Sequence, residues 1–421
     1  MLTITGGIGL SGSVTISGSK NAAAPIIAGA LFFESSTLHN VPRIGDVFNL
    51  LEIIKSFGVE TEFIGNTLKM NWGSAASDSA IDRERMKKIR ISILLLPALL
   101  QRFGRAEFPF PGGCNIGKRP IGEHISGLQD LGYELSSEGE MMLLQGSKKS
   151  GEIELWANRM VTATENLLSA AVLRDGVTLI RLAAYEPHVI DLVRFYQNAG
   201  IEIDIGYDHT IRVVGVDAVK SHTEYHVTTD YLESGTFVIA GALAATTHID
   251  IKNAGISDLR AFLERLHKTG VITENLGDDT LRVHRATELK AIDFQSNIFP
   301  GVPSDLGSPF GVLLTQAEGI SKVYEVLYEG RFGYLGELEK MKAHVAIMNP
   351  HEALIFGPTL LRGATVSSWD LRAGAAMIIA GLIADGQTQI TNVEYIDRGY
   401  EDIVGKLIGL GAQISRTTIL N

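Results

Sequence analysis

The one cysteine of this 421-residue chain lies in a loop whose composition favours a reactive thiol. Residues 108–120 read FPFPGGCNIGKRP, so Cys114 follows two glycines and precedes the basic residues Lys118 and Arg119. Positive charge beside an accessible thiol lowers its pKa and makes it an acid or a nucleophile near neutral pH. A cysteine without such a task is usually a small buried hydrophobe. The loop therefore predicts a catalytic Cys114, with an inert loop cysteine as the alternative.

Basic residues recur at the start of apolar helical segments. Lys20 and Asn21 precede AAAPIIAGAL, Arg90 precedes ISILLLPALL, and Arg372 stands in SSWDLRAGAAM. The N-terminus of a helix exposes N–H groups and the positive end of the helix dipole, and it therefore favours anions. The recurrence predicts a shared anion site, whereas each residue alone could be a solvated side chain.

Three further arginines lie in glycine-containing loops, and one aspartate lies in a turn-rich segment. Arg119, Arg331 and Arg398 could each bind a carboxylate or phosphate through the planar guanidinium, or could form surface ion pairs. Asp305 lies in PGVPSDLGSPF, where it could be a helix N-cap, a general base, or both.

The overall composition indicates a soluble globular protein rather than a nucleic-acid or membrane protein. Hydrophobic residues make up 45% and charged residues 20% of the chain, and the net charge of −11 argues against a nucleic-acid surface. The longest apolar runs are shorter than the ~20 residues that span a bilayer, and no signal peptide is visible. A single cysteine fits a reducing compartment, so we expect a cytoplasmic protein whose oligomeric state the sequence leaves open.

Internal repetition defines the architecture that must position these residues. Four segments, beginning near residues 20, 164, 234 and 371, share an apolar helix, a short strand, an amphipathic helix and a closing strand pair, and two weaker copies begin near residues 90 and 306. The period of about seventy residues is longer than that of solenoid repeats. The pattern predicts a two-lobed α/β protein with three copies per lobe and a cleft between lobes, divided into residues 1–19 with 229–421 and residues 20–228.

Other motifs give weak signals. GIGLSG at residues 7–12 matches a dinucleotide fingerprint, but a strand pattern follows where a helix is required. The eleven histidines lack zinc-site spacing, and one cysteine cannot build a thiolate site. We therefore expect no metal and no cofactor.

Taken in order, the segments GSKNAAAP, PGGCNIGKRP, PGVPSDLGSPF, YEGRF, SSWDLRAGA and IDRGYED resemble the UDP-N-acetylglucosamine 1-carboxyvinyltransferases. The resemblance covers essentially the whole chain. It implies a fold of two lobes, each an inside-out α/β barrel of three βαβαββ units, that close on substrate. It also implies transfer of the enolpyruvyl group of phosphoenolpyruvate to the 3′-hydroxyl of UDP-N-acetylglucosamine, with release of phosphate, as an early step of peptidoglycan synthesis.

The resemblance also implies roles for individual residues. Cys114 would protonate C3 of phosphoenolpyruvate and could form a covalent adduct, Asp305 would take the proton of the sugar hydroxyl, and Lys20 and Arg398 would complete the catalytic set. The phosphoenolpyruvate site would comprise Lys20, Asn21, Arg90, Cys114, Arg119, Arg331, Arg372 and Arg398. The sugar-nucleotide site would comprise Asn21, Arg90, Arg119, Pro120, Met160, Val161, Asp305 and Leu327.

The sequence departs from the family pattern on the sugar-nucleotide side. Residues 159–162 read RMVT where the family usually has Pro-Ser-Val-Gly, and Tyr185 and Tyr231 stand where arginine is common. These changes leave two alternatives open: a catalytically silent or acceptor-altered paralogue that binds a nucleotide sugar, and a shikimate-pathway enolpyruvyl transferase. The second is disfavoured because its helix start reads Ser-Lys-Ser and it lacks the cysteine loop.

Overall fold

The computed structural model describes residues 1–73, 82–109, 120–139 and 141–417, and these divide into two compact units. The first unit contains residues 1–17 and 229–417, and the second contains the described residues between 18 and 228. Cys114 and Arg119 lie outside the described residues. The mixture of helices and small sheets confirms the predicted α/β class.

The elements follow in chain order. The first unit begins with β1 (Leu2–Thr5) and β2 (Leu10–Thr15). The second unit contains α1 (Lys20–Ala30), β3 (Ser35–His39), α2 (Gly45–Ser56), β4 (Val59–Ile64), β5 (Thr67–Trp72), α3 (Arg83–Lys88), a 3-10 helix (Arg90–Leu95), α4 (Leu96–Phe103), β6 (Arg105–Pro109), α5 (Gly122–Asp130), β7 (Tyr133–Glu138), β8 (Met141–Gly146), β9 (Ile153–Trp156), α6 (Val161–Val172), β10 (Val177–Arg181), α7 (Pro187–Asn198), β11 (Glu202–Gly206), β12 (Thr210–Val214) and β13 (His222–His226). The first unit then resumes with α8 (Tyr231–Ala244), β14 (Ala245–Lys252), α9 (Arg260–Lys268), β15 (Thr273–Gly277), β16 (Thr280–His284), β17 (Phe294–Gln295), a 3-10 turn (Ser304–Leu306), α10 (Gly307–Leu314), β18 (Gly319–Tyr324), α11 (Gly333–Lys340), β19 (His344–Asn349), β20 (Glu352–Gly357), β21 (Thr365–Ser367), α12 (Leu371–Ile383), β22 (Gln387–Thr391), α13 (Glu394–Asp397), α14 (Ile403–Gly409) and β23 (Gln413–Arg416).

Within the described residues the strands form six small sheets of one pattern, three in each unit. In five of them a parallel pair is extended by two antiparallel strands, as in the order β2-β14-β16-β15, where β2 and β14 run parallel. Parallel strands need a crossover, and between β9 and β10, β17 and β18, and β21 and β22 the inner helix supplies it. The sixth sheet, β6-β8-β7, comprises three antiparallel strands. Six copies of one βαβαββ plan therefore account for the repetition in the sequence.

Strands from distant parts of the chain complete two of the sheets. In the first unit, β1 lies between β22 and β23, so the N-terminal strand closes the last copy. In the second unit, β13 pairs in parallel with β3 and supplies the first strand of the first copy. Each of these two sheets therefore contains one strand that is distant in sequence from the rest of its copy.

Three inner helices form the centre of the first unit. Every residue of α8 and α10 is buried, as is α12 from its second residue to Leu382. Helices that are apolar all round must lie inside. Gly235 allows close packing there, because a Cβ at that position would come within 2.6 Å of the Leu306 side chain. In the second unit α1, α6, α4 and the 3-10 helix at Arg90–Leu95 occupy the centre.

The apolar run ISILLLPALL differs in detail from the continuous helix expected of it. It forms the 3-10 helix Arg90–Leu95 followed by α4, which has Pro97 in its first turn. Proline lacks the N–H that a longer helix would use, and it is favoured in a first turn. Among the described residues no helix is long and apolar enough to span a bilayer.

Candidate active site

Asp305 lies between two buried arginines of the first unit. Its Oδ1 is 2.6 Å from Nη2 of Arg331, and its Oδ2 is 3.2 Å from Nε of Arg372. The two guanidinium groups are almost fully buried, whereas the Asp305 side chain is 29% exposed. The arrangement holds one accessible carboxylate in a fixed orientation beside two cations.

The alternative of Asp305 as a helix N-cap is wrong. Asp305 is the central residue of the 3-10 turn, and α10 begins after Leu306 without a side-chain cap. The carboxylate is instead bound to arginines from two other segments. An aspartate that is not needed as a cap is available for acid–base chemistry.

Arg372 has guanidinium N–H groups that make no well-aligned hydrogen bond within the described part of the protein, although the Tyr400 hydroxyl lies beside them. It is the second residue of α12, whose N-cap Asp370 accepts hydrogen bonds from the backbone N–H of Arg372 and Ala373. Its guanidinium lies 5.0 Å from the ring centre of Tyr400, and Nη1 and Nη2 are buried without a hydrogen-bond partner among the described residues. Burial alone would lower the pKa of Arg372, but Tyr400 and Asp305 raise it above its usual value. Arg372 therefore stays charged.

A buried carboxylate that the sequence analysis missed organises the surroundings of Asp305. Glu325 Oε2 accepts hydrogen bonds from the hydroxyls of Ser296 and Ser304, both at 2.8 Å. Its Oε1 accepts from the backbone N–H of Leu327 at 2.8 Å and of Tyr328 at 3.2 Å. Glu325 directly follows β18, and buried and exposed residues alternate from Ser321 to Glu325. A glutamate at a buried step of that alternation was the sequence signal that could have identified it.

The two remaining predicted residues of the first unit lie in loops. Arg398 follows α13 and is partly buried. Leu327 is 42% exposed and belongs to the same loop as Arg331. The Nε of Arg331 also donates to Ser304 Oγ at 3.0 Å, which links this loop to the turn that contains Asp305.

In the second unit, Lys20 and Asn21 are the first two residues of α1. Ser19 caps the helix by accepting a hydrogen bond from Ala22 N–H at 3.2 Å. Lys20 Nζ is 3.3 Å from Asp46 Oδ2, and the lysine side chain is 17% exposed. The expected cation is therefore present at the helix start, and a carboxylate fixes it there. Arg90 begins the 3-10 helix; its side chain lies outside the described part.

Two of the sugar-nucleotide residues predicted in the second unit lie at the start of α6, and one lies before α5. Met160 immediately precedes the helix, Val161 begins it, and Pro120 is exposed in front of α5. Thr162 Oγ1 is 3.1 Å from Nε2 of His124, on α5. The side chain that replaces the usual glycine thus contacts a neighbouring element.

One buried acid in the second unit was also missed. Glu165 lies in α6, is 2% exposed, and has an Oε1 with no hydrogen-bond partner in the described chain. Burial, together with the charge of Glu186, raises the pKa of Glu165 well above its usual value. Burial therefore favours the protonated form of Glu165. The sequence signal that could have identified this buried acid was the presence of a glutamate within an apolar inner helix.

The two tyrosines that replace arginines have structural contacts. Tyr185 donates its hydroxyl to the carbonyl of Gly206, and its ring stacks on His209 with centres 4.4 Å apart. Tyr231 begins α8 and is buried. A phenol in place of a guanidinium removes one positive charge at each position.

Comparison with known proteins gives a consistent family. The family described as EPSP synthase (3-phosphoshikimate 1-carboxyvinyltransferase) matches residues 4–407. UDP-N-acetylglucosamine 1-carboxyvinyltransferase 3 of Caldanaerobacter subterraneus is 40% identical over 98% of both chains, and UDP-N-acetylglucosamine 1-carboxyvinyltransferase 2 of Bacillus subtilis is 37% identical over 99% of this chain and 96% of its own.

Solved structures show the same fold. The enolpyruvyl transferase NikO from Streptomyces tendae has a TM-score of 0.89 and 25% identity, and it matches 100% of this chain and 99% of its own. EPSP synthase from Acinetobacter baumannii, at 17% identity and a TM-score of 0.72, supports the fold alone over 99% of both chains. With relatives near 40% identity over its full length, this chain belongs to the UDP-N-acetylglucosamine 1-carboxyvinyltransferases, within the EPSP synthase family.

Proposed function

We propose that this chain transfers the enolpyruvyl group of phosphoenolpyruvate to the 3′-hydroxyl of UDP-N-acetylglucosamine and releases phosphate. The observation that carries the proposal is the accessible carboxylate of Asp305 between Arg331 and Arg372. A base beside fixed cations suits the addition of an alcohol to an anionic enol ester.

Two steps make up the reaction. In the first, the Cys114 thiol protonates C3 of phosphoenolpyruvate, the acceptor oxygen forms a bond to C2, and Asp305 takes the hydroxyl proton. In the second, C3 of the tetrahedral intermediate returns a proton to the Cys114 thiolate, the C2–O bond to phosphate breaks, the proton held by Asp305 passes to the leaving phosphate, and the enolpyruvyl ether and inorganic phosphate form.

The cations have separate tasks. Arg372 is supported as an anion ligand because two of its buried nitrogens make no well-aligned hydrogen bond within the described protein, and buried donors normally make one. A carboxylate or phosphate would satisfy both through the planar fork. Lys20 and Arg398 complete the proposed catalytic set, and Asn21, Arg90 and Arg119 the proposed substrate contacts. The single cysteine supports a cytoplasmic location.

Acceptor dependence tests the proposal. With phosphoenolpyruvate present, release of inorganic phosphate should require UDP-N-acetylglucosamine and should not occur with shikimate 3-phosphate. Alkylation of Cys114 by an epoxide phosphonate should stop turnover, and Cys114→Ser should abolish both turnover and labelling. Tight sugar-nucleotide binding without phosphate release would instead indicate a silent paralogue.

A further inference from the structure

Trp369 is a large apolar side chain that the fold leaves half exposed, and its chain neighbour Asp370 lies near one of the arginines that hold Asp305. It lies between β21 and α12, and 52% of its surface is exposed. It immediately precedes Asp370, whose Oδ1 is 3.7 Å from Nη1 of Arg331. The residue is thus one step along the chain from the ion pairs that hold Asp305.

The indole is held in place despite its exposure. Its Nε1 donates to Oε1 of Glu337, on α11, at 2.8 Å. Glu337 is 3% exposed, and its Oε2 accepts a hydrogen bond from Ser367 N–H at 2.9 Å. Lys340 Nζ lies 2.9 Å and 2.8 Å from the two carboxylate oxygens. A buried carboxylate therefore fixes both the loop and the ring.

Electrostatics keep this carboxylate charged. Burial alone would raise the pKa of Glu337, but its hydrogen bonds from Lys340 and Trp369 lower it below its usual value. A hydrogen bond to an ionised acceptor is stronger than a neutral one. The indole orientation is consequently well determined before any ligand binds.

We propose that Trp369 is a specificity-determining residue that packs its ring against the sugar ring bearing the acceptor hydroxyl. The inference rests on the proposed function, in which Asp305 takes the proton of that hydroxyl. A rigid aromatic side chain supplies a large contact area at low cost in conformational entropy. The C–H face of a pyranose ring is the apolar surface that such a side chain would cover, and free UDP has no pyranose.

Comparing the binding of UDP-N-acetylglucosamine with that of UDP separates a contact to the sugar ring from a general effect on nucleotide binding. We would titrate UDP-N-acetylglucosamine and UDP by calorimetry into wild type, Trp369→Ala and Trp369→Phe. We expect Trp369→Ala to weaken UDP-N-acetylglucosamine about tenfold and UDP less than twofold, because a buried aromatic contact is among the larger contributions to binding. Trp369→Phe, which keeps a ring, should recover most of the loss. Ile320→Ala, which truncates another exposed apolar side chain of the same unit, should change neither affinity.

Steady-state kinetics provide the second readout. Trp369→Ala should raise KM for the acceptor and leave KM for phosphoenolpyruvate unchanged. Glu337→Gln weakens the hydrogen bond between this carboxylate and the indole of Trp369. It should raise the acceptor KM in the wild-type background and have a smaller effect in the Trp369→Phe background, which lacks the indole N–H. Non-additivity of this kind indicates that the two residues act together.

The outcomes are distinct. Equal weakening of both ligands, or of neither, would overturn the role of Trp369. Wild-type binding of the sugar nucleotide without phosphate release would refute the proposed reaction, and the two-ligand comparison would still decide whether Trp369 contacts the sugar.

Discussion

Glu325→Gln tests whether the buried carboxylate positions the proposed base. The direction of its hydrogen bonds is fixed by the neighbours. Ser304 Oγ accepts from Arg331 Nε and donates to Glu325 Oε2, and Ser296 Oγ accepts from Val326 N–H and donates to the same oxygen. Glutamine can keep an oxygen for the two backbone N–H groups only by presenting its NH2 to the serines. Both hydroxyl protons then lose their acceptor.

The expected loss of stability follows from the two lost hydrogen bonds. A hydrogen bond to a charged group contributes about 1.5–3 kcal/mol, so two lost bonds set an upper limit of about 3–6 kcal/mol. Rotation of the hydroxyls recovers part of this, and we expect the free energy of unfolding to fall by about 2–4 kcal/mol. Because Ser304 adjoins Asp305, a displacement of about 1 Å at the turn would lower kcat/KM by about 10²-fold.

Urea unfolding and phosphate-release kinetics would measure the two effects. Glu339→Gln is the matched control, because Glu339 is an exposed glutamate at the end of α11. This control should change neither stability nor kcat/KM. Wild-type kinetics in Glu325→Gln, with or without a loss of stability, would show that the carboxylate does not position the base.

Two further substitutions test the backbone and the buried charge of the second unit. Leu182 has a left-handed φ of 48° at a position where other copies carry Asn40, Asn253 and Asn392, with φ of 52–56°. Asparagine tolerates this region better than leucine, so Leu182→Asn should raise the free energy of unfolding by about 0.5–1 kcal/mol in urea titrations. An unchanged midpoint would contradict the strain argument. Glu165→Gln tests the raised pKa: between the unfolded pKa of 4.5 and the higher folded value the native state retains a proton, so wild-type stability falls as pH rises. The stability of the variant relative to wild type should therefore increase from pH 5 to pH 8, and a pH-independent difference would show that the acid is ionised when folded.

Much of the fold could be predicted because each copy obeys the same local rules. The apolar helices had to be interior, and the recurrence of strands after each one indicated sheets packed against those helices. The positions of Lys20 and Arg372 at helix starts followed from the same repetition. Repetition is a strong signal because six independent segments report one plan.

The contacts among side chains could not be predicted, because they join segments that are distant in sequence. Asp305 was considered as a cap on local grounds, yet its partner Arg372 lies 67 residues away. Glu325 and Glu165 were missed because periodicity shows that a position is buried and does not show which partners a buried carboxylate will have. Only the three-dimensional arrangement supplies that information.

The altered stretch at residues 159–162 departs from the family pattern in its backbone at the first residue and in its side chain at the last, because the proline usual at position 159 can neither adopt a positive φ nor donate an N–H. Asn158 and Arg159 have left-handed φ values of 48° and 57°, and Arg159 N–H donates to the carbonyl of Leu182, itself left-handed, at 2.6 Å. Such conformations persist only where the surroundings determine them. Thr162, in contrast, lies in the first turn of α6 without a positive φ, so no glycine is needed there. The loss of glycine therefore leaves the helix start intact and fills the space beside His124. We expect any change in acceptor preference to arise from that filled space, from the backbone at Arg159, and from Tyr185 and Tyr231.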